Sequence, residues 1–198
     1  MNKYHFIKDE MLVHVPVCTH KDPKKVIIVG GCENIKEELR KYNIFTETLF
    51  IDSNKAIEEF KRYNGTRDYD IAIVATSKFA KNREFWIELT KLLDARAVVS
   101  SVISNIITQE EAAKEELKVA GAIYQIVMPY RYEEEDDDGK LVNKYLLLSS
   151  RFYHPTADIN LQRADLTDGF RYYNSDIAKA AFIVPTFVYK NYLGIIKR

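Results

Sequence analysis

Two adjacent glycines, Gly30 and Gly31, stand between a short apolar run and a charged one. Glycine lets the backbone approach a ligand closely, and a strand-to-helix turn is where alternating α/β folds cradle a nucleotide or nucleoside. The same pair also serves a purely structural tight turn. Cys32, Glu33, Asn34 and Ile35 follow without a third glycine, so the full dinucleotide fingerprint is absent. Asp52 closes the next apolar run. A carboxylate there can hold a ribose hydroxyl pair, or it can cap a helix starting near Asn54. Residues 133–138 are Glu133, Glu134, Glu135, Asp136, Asp137 and Asp138. They read either as a solvated hairpin tip or as carboxylates able to gather a polycation at the ligand edge of a sheet. His14 and His20 read as isolated, and Cys18 and Cys32 fit no metal spacing. Neither metal nor triad chemistry is supported.

The elements that must position these residues follow from periodicity. Val26-Ile27-Ile28-Val29 is apolar on both faces, as a central parallel strand requires. Ile35 and Leu39 give the stripe of a surface helix over 33–42. A strand is expected over 46–51, a helix over 54–62 and a strand over 70–75. Phe85, Trp86, Leu89, Leu92 and Leu93 mark the buried face of the next helix, and a strand follows over 97–101. Thr108 with Glu111 three residues on predicts a capping box for a helix over 108–119. A strand over 123–128 ended by Pro129, and another over 145–148 entered through Asp138-Gly139, form a hairpin. A helix is expected over 175–182, closed by Pro185, with Tyr172, Tyr173, Phe170 and Phe182 packing in the core. The alternation predicts a helix-wrapped parallel sheet with one antiparallel strand, in one domain spanning 1–198.

The chain has 198 residues, 46% hydrophobic and 12% aromatic, enough to bury a full core. Its 29 basic and 29 acidic residues cancel, which argues against nucleic acid or an anionic membrane as partner. No apolar run reaches the roughly 20 residues of a membrane helix. The two cysteines and the polar N-terminal segment predict a reduced, cytoplasmic protein.

Specific strings resemble a known family. Glu10-Met11-Leu12-Val13-His14-Val15-Pro16, then Thr19-His20, then 23–31 resemble the entry of spermidine synthases into their first strand. Residues 69–74 resemble the strand leading to the family's catalytic aspartate. Tyr153-His154-Pro155, Arg171-Tyr172-Tyr173-Asn174-Ser175-Asp176-Ile177, Ala180-Ala181-Phe182 and Pro185 resemble the family's ending. The resemblance implies a Rossmann-like, doubly wound sheet of the S-adenosylmethionine-dependent methyltransferase type. It implies transfer of an aminopropyl group from decarboxylated S-adenosylmethionine, as co-substrate, to putrescine. It further implies a homodimer, and a polyamine (putrescine or spermidine) and an adenosyl-type nucleoside as ligands.

The resemblance also implies departures. The catalytic aspartate falls on Ala75 and its partner carboxylate on Lys78, so no catalytic residue is assigned. The ribose carboxylate falls on Phe50, the turn's aspartate on Glu33, and the histidine before the glutamate–methionine pair on Asp9. The family's loop tyrosine has its counterpart in Tyr130 or Tyr132. The expected ligand-binding set is Gly30, Gly31, Glu33, Asp52 and Tyr130. The family's N-terminal β-domain has no room before Phe6. The stretch between Asp52 and Tyr69 holds one helix rather than helix–strand–helix, predicting a six-stranded sheet without that edge strand. Two functions follow as expectations: a spermidine synthase-like transferase, or an inactive member acting as a ligand-binding or protein-interaction module.

Overall fold

The first strand shows how the sheet is buried. In β1 (Lys25–Val29), Ile27 and Val29 face one core while Val26 and Ile28 face the other, and all four are at most 1% exposed. The computed structural model describes residues 4–63 and 68–198. Around β1 runs a six-stranded sheet in the order β2-β1-β3-β4-β6-β5. Its strands are β2 (Glu47–Ile51), β3 (Tyr69–Val74), β4 (Leu93–Val102), β5 (Ile126–Glu135) and β6 (Leu141–Ser150). β1 pairs in parallel with β2 and β3, and β3 with β4. β6 runs antiparallel to both β4 and β5, so it is the one reversed strand and β5 points the same way as β1.

One core lies under α3 (Ala56–Arg62), α4 (Arg83–Leu92), α5 (Glu110–Gly121) and α8 (Thr186–Asn191). The opposite core lies under α1 (Phe6–Thr19), α2 (Glu33–Arg40), α6 (Leu161–Leu166) and α7 (Ser175–Ala181). Helices on both faces make the architecture doubly wound, as predicted. The expected six strands are present, with α3 linking β2 to β3 past the intervening β1. Within that link, residues 64–67 lie outside the described residues.

The structure corrects several details. Periodicity predicts no helix before β1, yet α1 spans Phe6–Thr19 with twelve of its fourteen residues buried. The capping box at Thr108 does not form. Asn105 Oδ1 instead accepts the amides of Ile107 and Thr108, and the helix begins at Glu110. Pro129 does not end its strand. β5 is an edge strand, and its ladder with β6 continues through Pro129 to Glu135, because a residue without an N–H is tolerated on an edge. Pro185 does not close a helix but occupies the N-cap position of α8. Glu133, Glu134 and Glu135 belong to β5, so the hairpin turn is confined to 136–140. The Glu133 carboxylate accepts from Tyr172 Oη.

Candidate functional site

Parallel strands deliver their ends to one edge of the sheet, where loops rather than ladders decide the chemistry. At this edge Gly30 N–H donates to Ile51 O (2.9 Å) and Ala75 N–H donates to Val29 O (3.0 Å), which locks the exits of β1, β2 and β3 together. Gly30 has φ 69° and Gly31 φ 92°, a region that favours glycine. A Cβ on Gly31 would lie 2.8 Å from Ile35 Cδ1 and 3.2 Å from Ala75 Cβ. A Cβ on Gly30 would meet Ser53 and Thr76 at 3.6 Å. The turn is therefore ringed by Ala75, Ser53 and Thr76, with Asn34 and the buried Asp9 beside it at 3.4 Å from each other. Burial raises the Asp9 carboxyl above its ordinary range, against the opposing hydrogen bond from Asn34.

The structure brings Gly30, Gly31, Glu33 and Asp52 to this edge. Asp52 Oδ1 accepts the Asn54 amide at 2.7 Å in a local turn, and it does not cap a helix, because α3 begins at Ala56 with Lys55 in the N-cap position. Glu33 is engaged by Lys36 (3.1 Å) and Arg40 (2.8 Å), whose hydrogen bonds hold its carboxyl below the usual value. Lys78 donates to Asn54 Oδ1 at 3.0 Å and lies 5.4 Å from the Phe79 ring centre. Tyr130 is placed elsewhere. It is fully buried, with its hydroxyl 2.6 Å from Ser100 Oγ and donating to Met11 O at 3.2 Å. Its expected role in an open ligand loop is corrected, because the strand continues through Pro129 and carries Tyr130 into the core. Tyr132 is buried as well.

Phe50 lies 42% exposed on the outer strand, and the Lys36 ammonium sits 4.6 Å from its ring centre. It lines a groove of about 540 Å³ with Lys36, Arg40, Phe45 and Thr48, to the side of the glycine turn.

Beneath the edge lies a buried polar network that the sequence did not reveal. His14, read as isolated, is fully buried. Its Nε2 lies 2.8 Å from Glu38 Oε2 and its Nδ1 2.8 Å from Tyr42 Oη, while Phe170 covers the ring at 4.0 Å. Lys41 also donates to Glu38, and Cys18 Sγ lies 3.6 Å from Tyr42 Oη. A neutral imidazole with its proton on Nε2 satisfies the set: Nε2–H donates to Glu38 and Tyr42 donates to Nδ1. Burial lowers the His14 pKa despite the opposing Glu38 carboxylate. Glu10, with no exposure, accepts the backbone amides of Arg171 (3.0 Å), Tyr172 (2.9 Å) and Tyr173 (2.9 Å). His20 is also buried, with Nε2 3.9 Å from Asp70 Oδ1. Nothing local in the sequence signals these pairings, which span up to 163 positions.

Comparison with known proteins bears on this edge. The model of the spermine/spermidine synthase domain matches residues 5–67. The polyamine aminopropyltransferase of Helicobacter acinonychis (strain Sheeba) is 27% identical over 212 residues, covering 96% of this chain and 77% of the relative. That of Thermoanaerobacter sp. (strain X514) is 27% identical over 227 residues, covering 94% and 78%. Over nearly its whole length the chain is similar to polyamine aminopropyltransferases, and its first third matches the spermine/spermidine synthase domain. The spermidine synthase of Thermotoga maritima shares the fold at a TM-score of 0.82 and 20% identity, covering 97% of this chain and 76% of that one. A spermidine synthase in complex with the transition-state analogue AdoDATO superposes equally well, at 0.82 and 19% identity. The fold shared with these structures brings the glycine turn and the ends of β1, β2 and β3 to one edge in this chain. The residues following β3 are Ala75, Thr76, Ser77 and Lys78, and none is a carboxylate. Among the described residues no helix is long and apolar enough to cross a membrane.

Proposed function

We propose that this chain is a nucleoside-binding member of the spermidine synthase family that has lost aminopropyl transfer. The carrying observation is the exit of β3, where Ala75 packs against Gly31 and Lys78 is hydrogen-bonded to Asn54. Aminopropyl transfer requires a neutral amine, whereas aliphatic amines near the lysine reference of about 10.4 are protonated at pH 7. A positioned base contributes about 10²–10⁴-fold to such a proton transfer, and a methyl group contributes none. The Lys78 ammonium also repels a cationic acceptor or a sulfonium donor. The glycine turn, by contrast, keeps the narrow cradle and neutral hydroxyls suited to an uncharged nucleoside such as 5′-methylthioadenosine. Gly30 and Gly31 form the floor, and Asp52 keeps one oxygen for a ribose hydroxyl. On this reading the protein is cytoplasmic, a single domain and a homodimer, and its polyamine contact, if kept, is the acidic hairpin turn.

The second reading is retained polyamine aminopropyl transfer, favoured by relatives of that name matched over nearly the whole chain. A product assay with putrescine and decarboxylated S-adenosylmethionine decides between them, with a complete family member as control. Spermidine at background, together with a rise in melting temperature on adding 5′-methylthioadenosine, supports the proposal. Turnover comparable to the control overturns it.

A further inference from the structure

A second cavity lies at the other end of the sheet. It has a volume of about 270 Å³ and is lined by Met128, His154, Thr156, Lys179, Phe182, Ile183, Tyr189 and Arg198. Met128 is near the start of β5 and His154 follows the end of the antiparallel β6, so this is the amino edge, opposite Gly30 and Gly31. The lining has two cations and no carboxylate side chain. Lys179 rises from α7, and no ion pair engages it among the described residues. The backbone of Lys197 exchanges both hydrogen bonds with Val127 (2.9 and 3.0 Å), extending the β5 edge and fixing the start of Arg198. The Arg198 guanidinium lies 4.4 Å from the Tyr189 ring centre. The Thr156 amide, which can only donate, points at His154 Nδ1 (3.3 Å). That nitrogen is therefore the acceptor, and the ring proton sits on Nε2 as a donor. Asp158 is occupied by the His154 amide at 2.7 Å. Phe182, Met128 and Tyr189 supply an apolar floor.

We propose that this cavity binds a small organic anion, a phosphate or carboxylate head on a short apolar body. Lys179, Arg198 and His154 Nε2–H take the head, and the aromatic floor takes the body. The space equals that of about nine waters at roughly 30 Å³ each, which admits a ring-sized ligand. This site is independent of the nucleoside reading, because the two lie at opposite edges of the sheet.

The test is calorimetric titration of the full chain with phenyl phosphate, and with inorganic phosphate and benzoate as comparison arms. Phenyl phosphate is expected to bind saturably and more tightly than inorganic phosphate. Benzoate binding equally well would identify the head as any anion, consistent with the proposal. Lys179→Glu is expected to weaken phenyl phosphate by about tenfold or more, as loss of a hydrogen bond to a charged group implies. Lys179 is exposed, so the variant should keep the wild-type melting temperature and its response to 5′-methylthioadenosine. No saturable phenyl phosphate binding below roughly 10 mM, weaker than about −3 kcal/mol, would overturn the proposal. So would unchanged affinity in Lys179→Glu, or equal affinity for inorganic phosphate.

Discussion

Replacing Glu10 by Gln tests whether the ligand-side helix is anchored by its buried carboxylate. Glu10 has no exposure, and its two oxygens accept the amides of Arg171, Tyr172 and Tyr173 at 2.9–3.0 Å. A glutamine carbonyl can keep the pair at Tyr172 and Tyr173, but its NH₂ then faces the Arg171 N–H, which is left with its longer contact to the carbonyl oxygen at 3.2 Å. The shorter Arg171 bond to a charged acceptor is lost, worth about 1.5–3 kcal/mol. The two remaining bonds lose their charge assistance. The expected loss is about 2–4 kcal/mol, a large part of the 5–15 kcal/mol typical of a domain. Trp86, the only tryptophan, is 1% exposed and reports unfolding by fluorescence. With a urea slope of about 2–3 kcal/mol per molar, the midpoint should fall by roughly 1–2 M without a change in slope. Arg171→Ala separates the amides from the ion pair. Its side chain is 58% exposed and its Nε lies 3.7 Å from Glu10, so truncation should cost about 1 kcal/mol or less. A Glu10→Gln loss below about 1 kcal/mol, or an Arg171→Ala loss as large, would refute the amide-anchor reasoning.

Three further outcomes follow. His14 is held neutral by burial, with a folded pKa below the unfolded value of about 6.5, so the unfolded chain binds more protons between the two. Stability should therefore fall as pH drops below about 6.5, and His14→Gln should remove that part of the slope in urea midpoints measured from pH 7.5 to 5. Gly31→Ala should abolish the melting shift with 5′-methylthioadenosine, because its Cβ enters at 2.8 Å from Ile35. Gly139→Ala, equally left-handed at φ 76° but on the hairpin turn with 3.7 Å of clearance, should keep that shift. Ala75→Asp alone should leave spermidine at background in the product assay, since Lys78 still repels a cationic donor and Phe50 supplies no carboxylate to its ribose.

What could be read from the sequence depended on whether a residue's environment was local. β1 and β3 were legible because both faces of a central strand are apolar, and α2 and α4 because each shows a stripe to one core. α1 was illegible because burial on all sides erases the stripe. Its polar residues Asp9, Glu10, His14 and Thr19 are buried, three of them against partners beyond the helix and Thr19 against Val15 O. Tyr130 was misplaced for a related reason, since a proline's effect on a strand depends on whether that strand is an edge. The glycine turn is legible from its place between an apolar run and a helical stripe, whereas the places of Ala75 and Lys78 come from resemblance in order along the chain.

The separation of fold from site explains how such a chain can keep one while changing the other. The ladder between β1 and β3 ends at the Val29 and Val74 pair, and the last bond is made by the Ala75 amide, which any residue but proline supplies. The Ala75 side chain lies half-buried at the rim of the core under α1 and α2, facing Gly31, and Lys78 and Asp52 sit at the exposed ends of the loops. Phe50 likewise faces the groove outside β1 while its neighbour Ile51 carries the packing. Substitutions here change charge and chemistry at little cost to folding, as surface changes of about 0.5 kcal/mol or less usually do. Gly31 is the exception, because its φ and its clearance are set by the fold itself. Side chains at this edge can therefore be exchanged at less cost than the glycines of the turn.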